Sequence, residues 1–194
     1  IKNATYQEAL RYFRAFDFKD KVAKDMALLE LLEISKDEER KILIFKHFDA
    51  ESIKKKPAFQ RIIPGVLKSI SNEKDFLDIV KKYDLKNQKD KILSILDNSK
   101  DPASYLQAAM VATELFGITP LKEAINQSPL NEGFAIKRIQ RLGTVDNDVI
   151  TKQLILVFSS KKYPFKMREA AVLAMEGYMS DVKSAVRMLS LEGK

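Results

Sequence analysis

Residues 101–117 read DPASYLQAAMVATELFG, and this stretch is the clearest guide to the fold. Asp101-Pro102 opens a helix, because proline in a first helical turn lacks only an N–H that has no partner there. Gly117 is predicted to end the same helix. The helix interior carries small residues that would let a neighbouring helix approach closely: Ala108, Ala109 and Ala112.

The same pattern recurs twice downstream, in NEGFAIKRIQRLG (131–143) and PFKMREAAVLAMEG (164–177). All three helices are predicted to end at a glycine, namely Gly117, Gly143 and Gly177. Each is followed by a predicted second helix: Thr119–Gln127, Val145–Ser159 and Asp181–Leu189. Helix pairs that recur along a chain in this way are typical of α-solenoids, so we expect an all-α solenoid of stacked antiparallel helix pairs. A compact, non-repeating helical bundle is the alternative, because the visible repeats cover only the second half of the chain.

The first 70 residues predict helices without a clear repeat. The first helix spans about 4–16, and the second spans Lys21–Ile34. The buried face of the second is predicted from apolar spacings of three and four: Val22, Met26, Leu29 and Leu32. Ser35 with Glu38 suggests a capping box for a third helix, and residues 49–57 look irregular. We therefore predict one helical-repeat domain over 1–194, less regular in 1–70 and built of helix pairs in 73–190.

The composition fits a helical domain and excludes several kinds of site. Glycine and proline number only 6 each, fewer than an all-β chain needs for its turns. No apolar run approaches the roughly 18 residues of a membrane span. The chain has no cysteine, which excludes disulfides, thiolate catalysis and thiolate-held metal clusters within this segment. The chain starts at Ile1 and its last residues close no motif, so we expect a fragment of a larger protein.

None of the usual catalytic or metal-binding patterns is complete. His47 is the only histidine, so no triad or multi-histidine metal site forms around it within one chain. Residues 146–148 read Asp-Asn-Asp, but Thr151 and Val157 stand where a calcium loop needs glycine and glutamate. These polar residues are expected to cap the helix that follows. We predict no catalytic residue, no metal site and no cofactor in this segment, and therefore no enzyme activity of its own.

Two stretches, LQAAMVATELFG and MREAAVLAMEG, resemble HEAT repeats. In those repeats a helix that begins near Pro or Asp carries an arginine and an alanine pair. Asp101-Pro102 and residues 168–171 (Arg-Glu-Ala-Ala) match that pattern, and the helix over 131–142 matches it less well. The resemblance covers about 73–190. It implies a curved HEAT/armadillo-like superhelix that serves as a docking surface for a protein or for a neighbouring domain of the same chain.

The formal net charge of +7 raises a second function. Basic residues fall on one predicted helix and around the next loop, where Tyr163 and Phe165 also lie: Lys137, Arg138, Arg141, Lys161, Lys162, Lys166 and Arg168. Such a ridge could follow a phosphate backbone, as the concave face of some HEAT-like DNA glycosylases does. Those enzymes rely on tryptophan, which this chain lacks. The other interpretation is that the lysines face water and the aromatic residues pack between repeats.

The opening ALRYFRAFDF (9–18), followed by an acidic-apolar helix, resembles a region of large secreted bacterial proteins. Those proteins join a propeller of the sugar-dehydrogenase type, a HEAT-like region and a haem-binding cytochrome domain. The resemblance implies a periplasmic or secreted parent whose redox chemistry lies outside this segment. The sequence thus predicts a non-catalytic protein-interaction or scaffolding module within a haem-binding, dehydrogenase-like protein. A nucleic-acid-binding solenoid is the alternative.

Overall fold

A computed structural model describes residues 4–15 and 20–176, which form α-helices and contain no strand. The helices are α1 (Tyr6–Ala15), α2 (Lys21–Ile34), α3 (Glu38–Phe45), α4 (Ala50–Lys55), α5 (Pro57–Gln60), α6 (Ile63–Ser69), α7 (Glu73–Tyr83), α8 (Lys89–Asn98), α9 (Pro102–Phe116), α10 (Thr119–Gln127), α11 (Glu132–Leu142), α12 (Asp148–Ser159) and α13 (Phe165–Ala174). The all-α class is confirmed for this part of the chain. The predicted helix Asp181–Leu189 and the predicted cap Gly177 lie outside the described residues. None of the described helices is long and apolar enough to cross a bilayer.

The chain divides into two compact units, Ile1–Asp84 and Leu85–Lys194, here called the N-terminal and C-terminal units. The division follows α7, so this helix belongs with the N-terminal helices although the predicted helix-pair region begins at 73. Asp84 ends α7 in the left-handed conformation, with φ 54° and ψ 47°. Aspartate is among the few residues other than glycine that tolerate this conformation, so the turn needs no glycine.

The N-terminal unit is built around buried aromatic rings. Tyr83 contacts Phe45 edge to face at 5.0 Å between ring centroids, and Phe48 packs on Phe59 at 5.3 Å. The Tyr83 hydroxyl donates to the backbone carbonyl of Phe45, at the C-terminal end of α3. Burial, followed by the negative charges of Asp25 and Asp49, raises the pKa of the Tyr83 phenol. The cluster therefore joins α7 to the end of α3 and to α5.

The predicted buried face of α2 is correct at Leu32 and wrong at Val22 and Met26. Val22 and Met26 are 56% and 50% exposed, whereas the buried residues of α2 are Asp25, Leu28 and Leu32. Apolar residues occupy most sides of this helix, so spacing alone does not select the inward face. An interaction distant in sequence helps to fix it, because the Asp25 carboxylate accepts the backbone N–H of Asp49 at 3.2 Å. Asp25 is fully buried, so this bond ties α2 to the start of α4.

Two local expectations, the cap of α3 and the irregular stretch over 49–57, are also corrected. Asp37, not Ser35, caps α3, since its carboxylate accepts the Arg40 N–H at 2.7 Å. The stretch predicted to be irregular contains α4, capped in the same way by Asp49. Pro64 lies in the first turn of α6, where a proline lacks only an N–H that has no helical partner.

In the C-terminal unit the helices form sequential pairs, and α11 also packs on α13 as extensively as the partners in any of these pairs. The closest neighbours along the chain are α8 with α9, α10 with α11, and α12 with α13. The predicted pairs were shifted by one helix, since they joined α9 to α10 and α11 to α12. In the structure α11 instead packs closely on α13 and makes little direct contact with α12.

Gly117 and Gly143 have different physical roles. Gly117 has a φ of 58° and ends α9 as predicted, its N–H donating to the Thr113 carbonyl at 2.9 Å. Gly143 follows α11 with an ordinary right-handed φ of −68°. A Cβ on Gly143 would lie only 2.3 Å from the Cβ of Ala174. Gly143 is therefore required by the close approach of α11 and α13, whereas Gly117 is required by its backbone conformation.

Candidate interaction surface

Arg138, one of the predicted ridge residues, points into the C-terminal unit. Its side chain is 4% exposed, and its Nε donates to Asp97 Oδ1 at 2.7 Å. A second guanidinium nitrogen donates to the other Asp97 oxygen, which makes the pair bidentate. The guanidinium also lies 4.7 Å from the centre of the Phe134 ring. Arg138 thus fixes α11 to the last turn of α8 and is already fully engaged.

The other two predicted arginines are also engaged within the fold. Arg141 donates to the backbone carbonyls of Leu96 and Ser99, the second at 3.0 Å, and stacks 4.4 Å from the Tyr105 ring centre. These carbonyls belong to the C-terminal end of α8, where a cation is favourable. Arg168 is buried, and its Nε donates to the Phe158 carbonyl of α12 at 2.8 Å. The seven predicted residues therefore do not form one open surface.

The four predicted lysines are all exposed: Lys137, Lys161, Lys162 and Lys166. Lys137 lies on α11, and the other three surround the turn between α12 and α13. Lys162 Nζ lies 4.8 Å from the centre of the Tyr163 ring. Within the part of the chain that the structure describes, none of the four has a carboxylate within 4.0 Å. No carboxylate of residues 4–15 or 20–176 therefore forms an ion pair with these lysines.

Sequence reasoning missed the apolar residues beside these lysines. Leu156 is 59% exposed, and Ile155 and Phe165 are about equally exposed, at 39% and 40%. Because α12 and α13 pack together across a short turn, the end of α12 lies beside the start of α13. We call the resulting patch the α12–α13 surface. It comprises Lys152, Ile155, Leu156, Lys161, Lys162, Phe165 and Lys166. The α12 sequence is apolar on most sides, which hid the outward position of Ile155 and Leu156.

The remaining candidates have local structural roles. Asn147 caps α12, since its side-chain oxygen accepts the N–H groups of Val149 and Ile150 at 3.0 and 3.2 Å. The predicted capping role of residues 146–148 is thereby confirmed at Asn147. His47 Nδ1 lies 2.9 Å from the Leu43 carbonyl, one turn earlier in the chain. Among the described residues no cluster of three or more histidine, aspartate or glutamate side chains is arranged to hold a metal ion.

The α12–α13 surface thus combines exposed apolar side chains with lysines that have no carboxylate within 4.0 Å among the described residues. No protein-family model, curated protein or solved structure matches this chain. A function therefore has to be inferred from the chain's own side chains and their packing.

Proposed function

We propose that this chain is a non-catalytic protein-interaction module whose α12–α13 surface binds an acidic, partly apolar segment. The segment would belong to a partner protein or to a neighbouring domain of the same polypeptide. The observation that carries the proposal is the exposure of Leu156, Ile155 and Phe165 on two helices that pack together, α12 and α13. The exposed lysines of the same helices and of the turn between them have no carboxylate within 4.0 Å among the described residues. Apolar residues grouped on a surface and edged by charge are typical of interaction sites.

The two kinds of side chain would contribute differently to binding. Burying Leu156 and Phe165 supplies affinity, at about 25 cal/mol for each Å² of apolar area removed from water. Lys161, Lys162 and Lys166 would attract and orient an acidic partner, mainly by raising the rate of association. A partner with acidic residues around an apolar centre therefore matches this surface best.

The packing of the C-terminal unit supports a HEAT-like stack as the scaffold for this surface. The pair α8–α9 contacts the pair α10–α11, which in turn contacts the pair α12–α13. In this series α9 packs on α11, and α11 packs on α13. The first pair, α8 and α9, makes little or no direct contact with the third, α12 and α13. Contacts limited to nearest neighbours characterise repeat proteins, whereas the helices of a compact bundle share one centre. We therefore prefer the solenoid to the bundle.

The narrower resemblance places such a module beside a dehydrogenase-like propeller and a haem-binding domain. In that setting the acidic segment would belong to one of those neighbouring domains. This remains a prediction that rests on residues 9–18, on the acidic-apolar helix that follows them and on the HEAT-like pairs, and the interaction proposal does not depend on it.

Nucleic-acid binding is the second candidate, favoured by one observation. Phe165 is exposed beside Lys161, Lys162 and Lys166, an aromatic and basic combination that can stack a base and hold its phosphates. Two other observations favour protein. The arginines best suited to phosphate, such as Arg138, are engaged within the fold. The aliphatic Leu156 would add little to a contact with a phosphate backbone.

The test uses two labelled probes, with binding measured by fluorescence anisotropy on the full chain. One is a synthetic helical peptide with leucine on one face and glutamate on the other, and the second is a single-stranded oligonucleotide. We expect Leu156→Ser and the double variant K162Q/K166Q each to weaken peptide binding about tenfold, or about 1.4 kcal/mol. The matched controls are Leu106→Ser on α9, which is 41% exposed, and K100Q/K122Q.

Peptide binding that is equally sensitive to the test and control variants would contradict the proposal. Oligonucleotide binding that weakens with K162Q/K166Q, keeps its strength with Leu156→Ser and falls steeply with salt would establish the second candidate instead.

A further inference from the structure

A groove in the N-terminal unit, unrelated to the α12–α13 surface, has the features of a ligand site. It lies among α2, α3 and α6 and has a volume of about 440 Å³, within the range of small-molecule pockets. Its lining is mainly apolar and includes Leu29, Leu32, Ile62 and Val66. We call it the α2–α6 groove.

The charges along the groove are asymmetric. On the α6 side, the exposed Arg61 and Lys68 line the groove, and neither has a carboxylate within 4.0 Å among the described residues. On the α3 side, Lys41 is neutralised by Glu38 at 2.9 Å. Glu33, on α2, is the one lining carboxylate with no such partner among the described residues. The α6 wall therefore carries uncompensated positive charge above an apolar floor.

Gly65 lies between these two cations in sequence and also lines the groove. Arg61 lies in the turn that precedes α6 and Lys68 in the last turn of that helix, and both line the groove together with Gly65. Gly65 has no positive φ, and a Cβ built on it meets nothing within 4 Å. Neither backbone strain nor crowding requires glycine here, although glycine disfavours a helix. What the missing side chain does provide is open space on the cationic wall.

We propose that the α2–α6 groove binds an aliphatic carboxylate. Its hydrocarbon chain would lie on Leu29, Leu32 and Val66, and its carboxylate would be held at the α6 wall by Arg61 and Lys68. An arginine guanidinium donates to a carboxylate through two parallel hydrogen bonds, and lysine adds a mobile positive charge. The open space beside Gly65 leaves room for the ligand between the two cations.

The test is a calorimetric titration of the full chain with sodium decanoate below its micelle concentration. We expect saturable binding at one site, and weakening of about tenfold or more in R61Q/K68Q. Gly65→Phe should abolish binding because its ring would occupy the open space. Glu33→Gln should bind decanoate as well as the unmodified chain or more tightly, since it removes a like charge. Decyltrimethylammonium, which has the same chain and the opposite charge, should not bind.

The control K36Q/K122Q removes two exposed lysines elsewhere and should bind decanoate normally. The thermal unfolding of each variant shows whether it is folded, and Gly65→Ala provides a smaller change at the same position that favours the helix. Failure of decanoate to saturate a site, equal losses in R61Q/K68Q and K36Q/K122Q, or normal binding by a folded Gly65→Phe would each overturn the proposal. The α12–α13 surface shares none of these residues, so either proposal can fail without the other.

Discussion

The helices of the N-terminal unit and those of the C-terminal unit pack through different kinds of side chain. In the N-terminal unit, short helices such as α3, α4 and α6 surround a cluster of large rings that includes Phe45, Phe48 and Tyr83. In the C-terminal unit, longer helices meet through fully buried small residues: Ala108, Ala109, Ala112, Ala124, Ala135 and Ala171. Helices of one or two turns are not stable alone and depend on such bulky contacts. Longer helices can use close backbone approach instead, at the cost of tolerating no added atoms.

The largest expected effect is removal of a ring from the N-terminal cluster. Phe48 is 1% exposed and contacts both Phe45 and Phe59. Phe48→Ala should lower the free energy of unfolding by about 3–5 kcal/mol, because a cavity remains where the ring was. Denaturant unfolding measures the loss. Phe158→Ala, at a half-buried ring in the C-terminal unit, should cost clearly less, and equal losses would erase the contrast between the units.

Loss of a buried ion-pair partner should come next, in the C-terminal unit. Asp97→Ala leaves the Arg138 guanidinium buried without its carboxylate, and we expect a loss of about 3 kcal/mol. Asp75→Ala removes one partner of Lys46 in the N-terminal unit, where both side chains are more exposed, at 38% and 27%. That change should cost less than about 1 kcal/mol. Chemical denaturation of both variants under one set of conditions compares them, and a similar loss would show that burial is not the deciding factor.

A single added methyl group tests the close approach of α11 and α13. Gly143→Ala should destabilise the protein by about 1–3 kcal/mol, since the new Cβ would overlap that of Ala174. Ala174→Gly in the same chain should restore part of the loss, which a double-mutant cycle by thermal unfolding would reveal. Gly65→Ala, where there is room, should instead stabilise by a few tenths to about 1 kcal/mol. Stabilisation by Gly143→Ala would show that α11 and α13 do not pack this closely.

The smallest effect concerns alkaline pH in the N-terminal unit. The pKa of the Tyr83 phenol is raised in the folded state, by burial first and then by the charges of Asp25 and Asp49. Its contribution to stability is therefore complete below the ordinary tyrosine pKa of about 10 and decreases as the pH rises above it. Unfolding midpoints between about pH 8 and 11 should fall more steeply for the unmodified chain than for Tyr83→Phe. Lysine residues titrate in both proteins, so they do not account for a difference between the two curves. Equal dependence of the two unfolding midpoints on pH would contradict a raised pKa at Tyr83.

Sequence patterns predicted those parts of the fold whose signals are local. The bounds of α2 and the start of α9 at Asp101-Pro102 were correct, because caps and proline act within a few residues. Asp37 caps α3 instead of Ser35, and the sequence did not distinguish them because either side chain can accept a backbone N–H. The helix α4 was missed since so short a segment depends on Ile53 being buried by distant residues. The inward side of α2 likewise depended on the distant Asp49.

The candidate site shows the same division between local and distant information. Exposure of Lys161, Lys162 and Lys166 agrees with their place around a turn. The inward course of Arg138 depends on Asp97, which lies 41 positions earlier. A signal did exist, because Arg138 shares one helical face with Ala135, Ile139 and Leu142, all of them buried. An arginine on an apolar helical face should therefore be interpreted first as a buried partner of a distant carboxylate.

The hydrogen bonds that Arg138 and Arg141 make to the end of α8 also constrain how the chain folds during synthesis. A ribosome releases α8 and α9 well before residue 141, so in that interval the carbonyls of Leu96 and Ser99 are without the arginine that binds them. During synthesis, the end of α8 therefore gains these hydrogen bonds only after α11 has been made. A truncated gene product ending between residues 117 and 137 would retain both helices but lack these arginine hydrogen bonds. Any shortened version intended for expression should extend at least through Arg141.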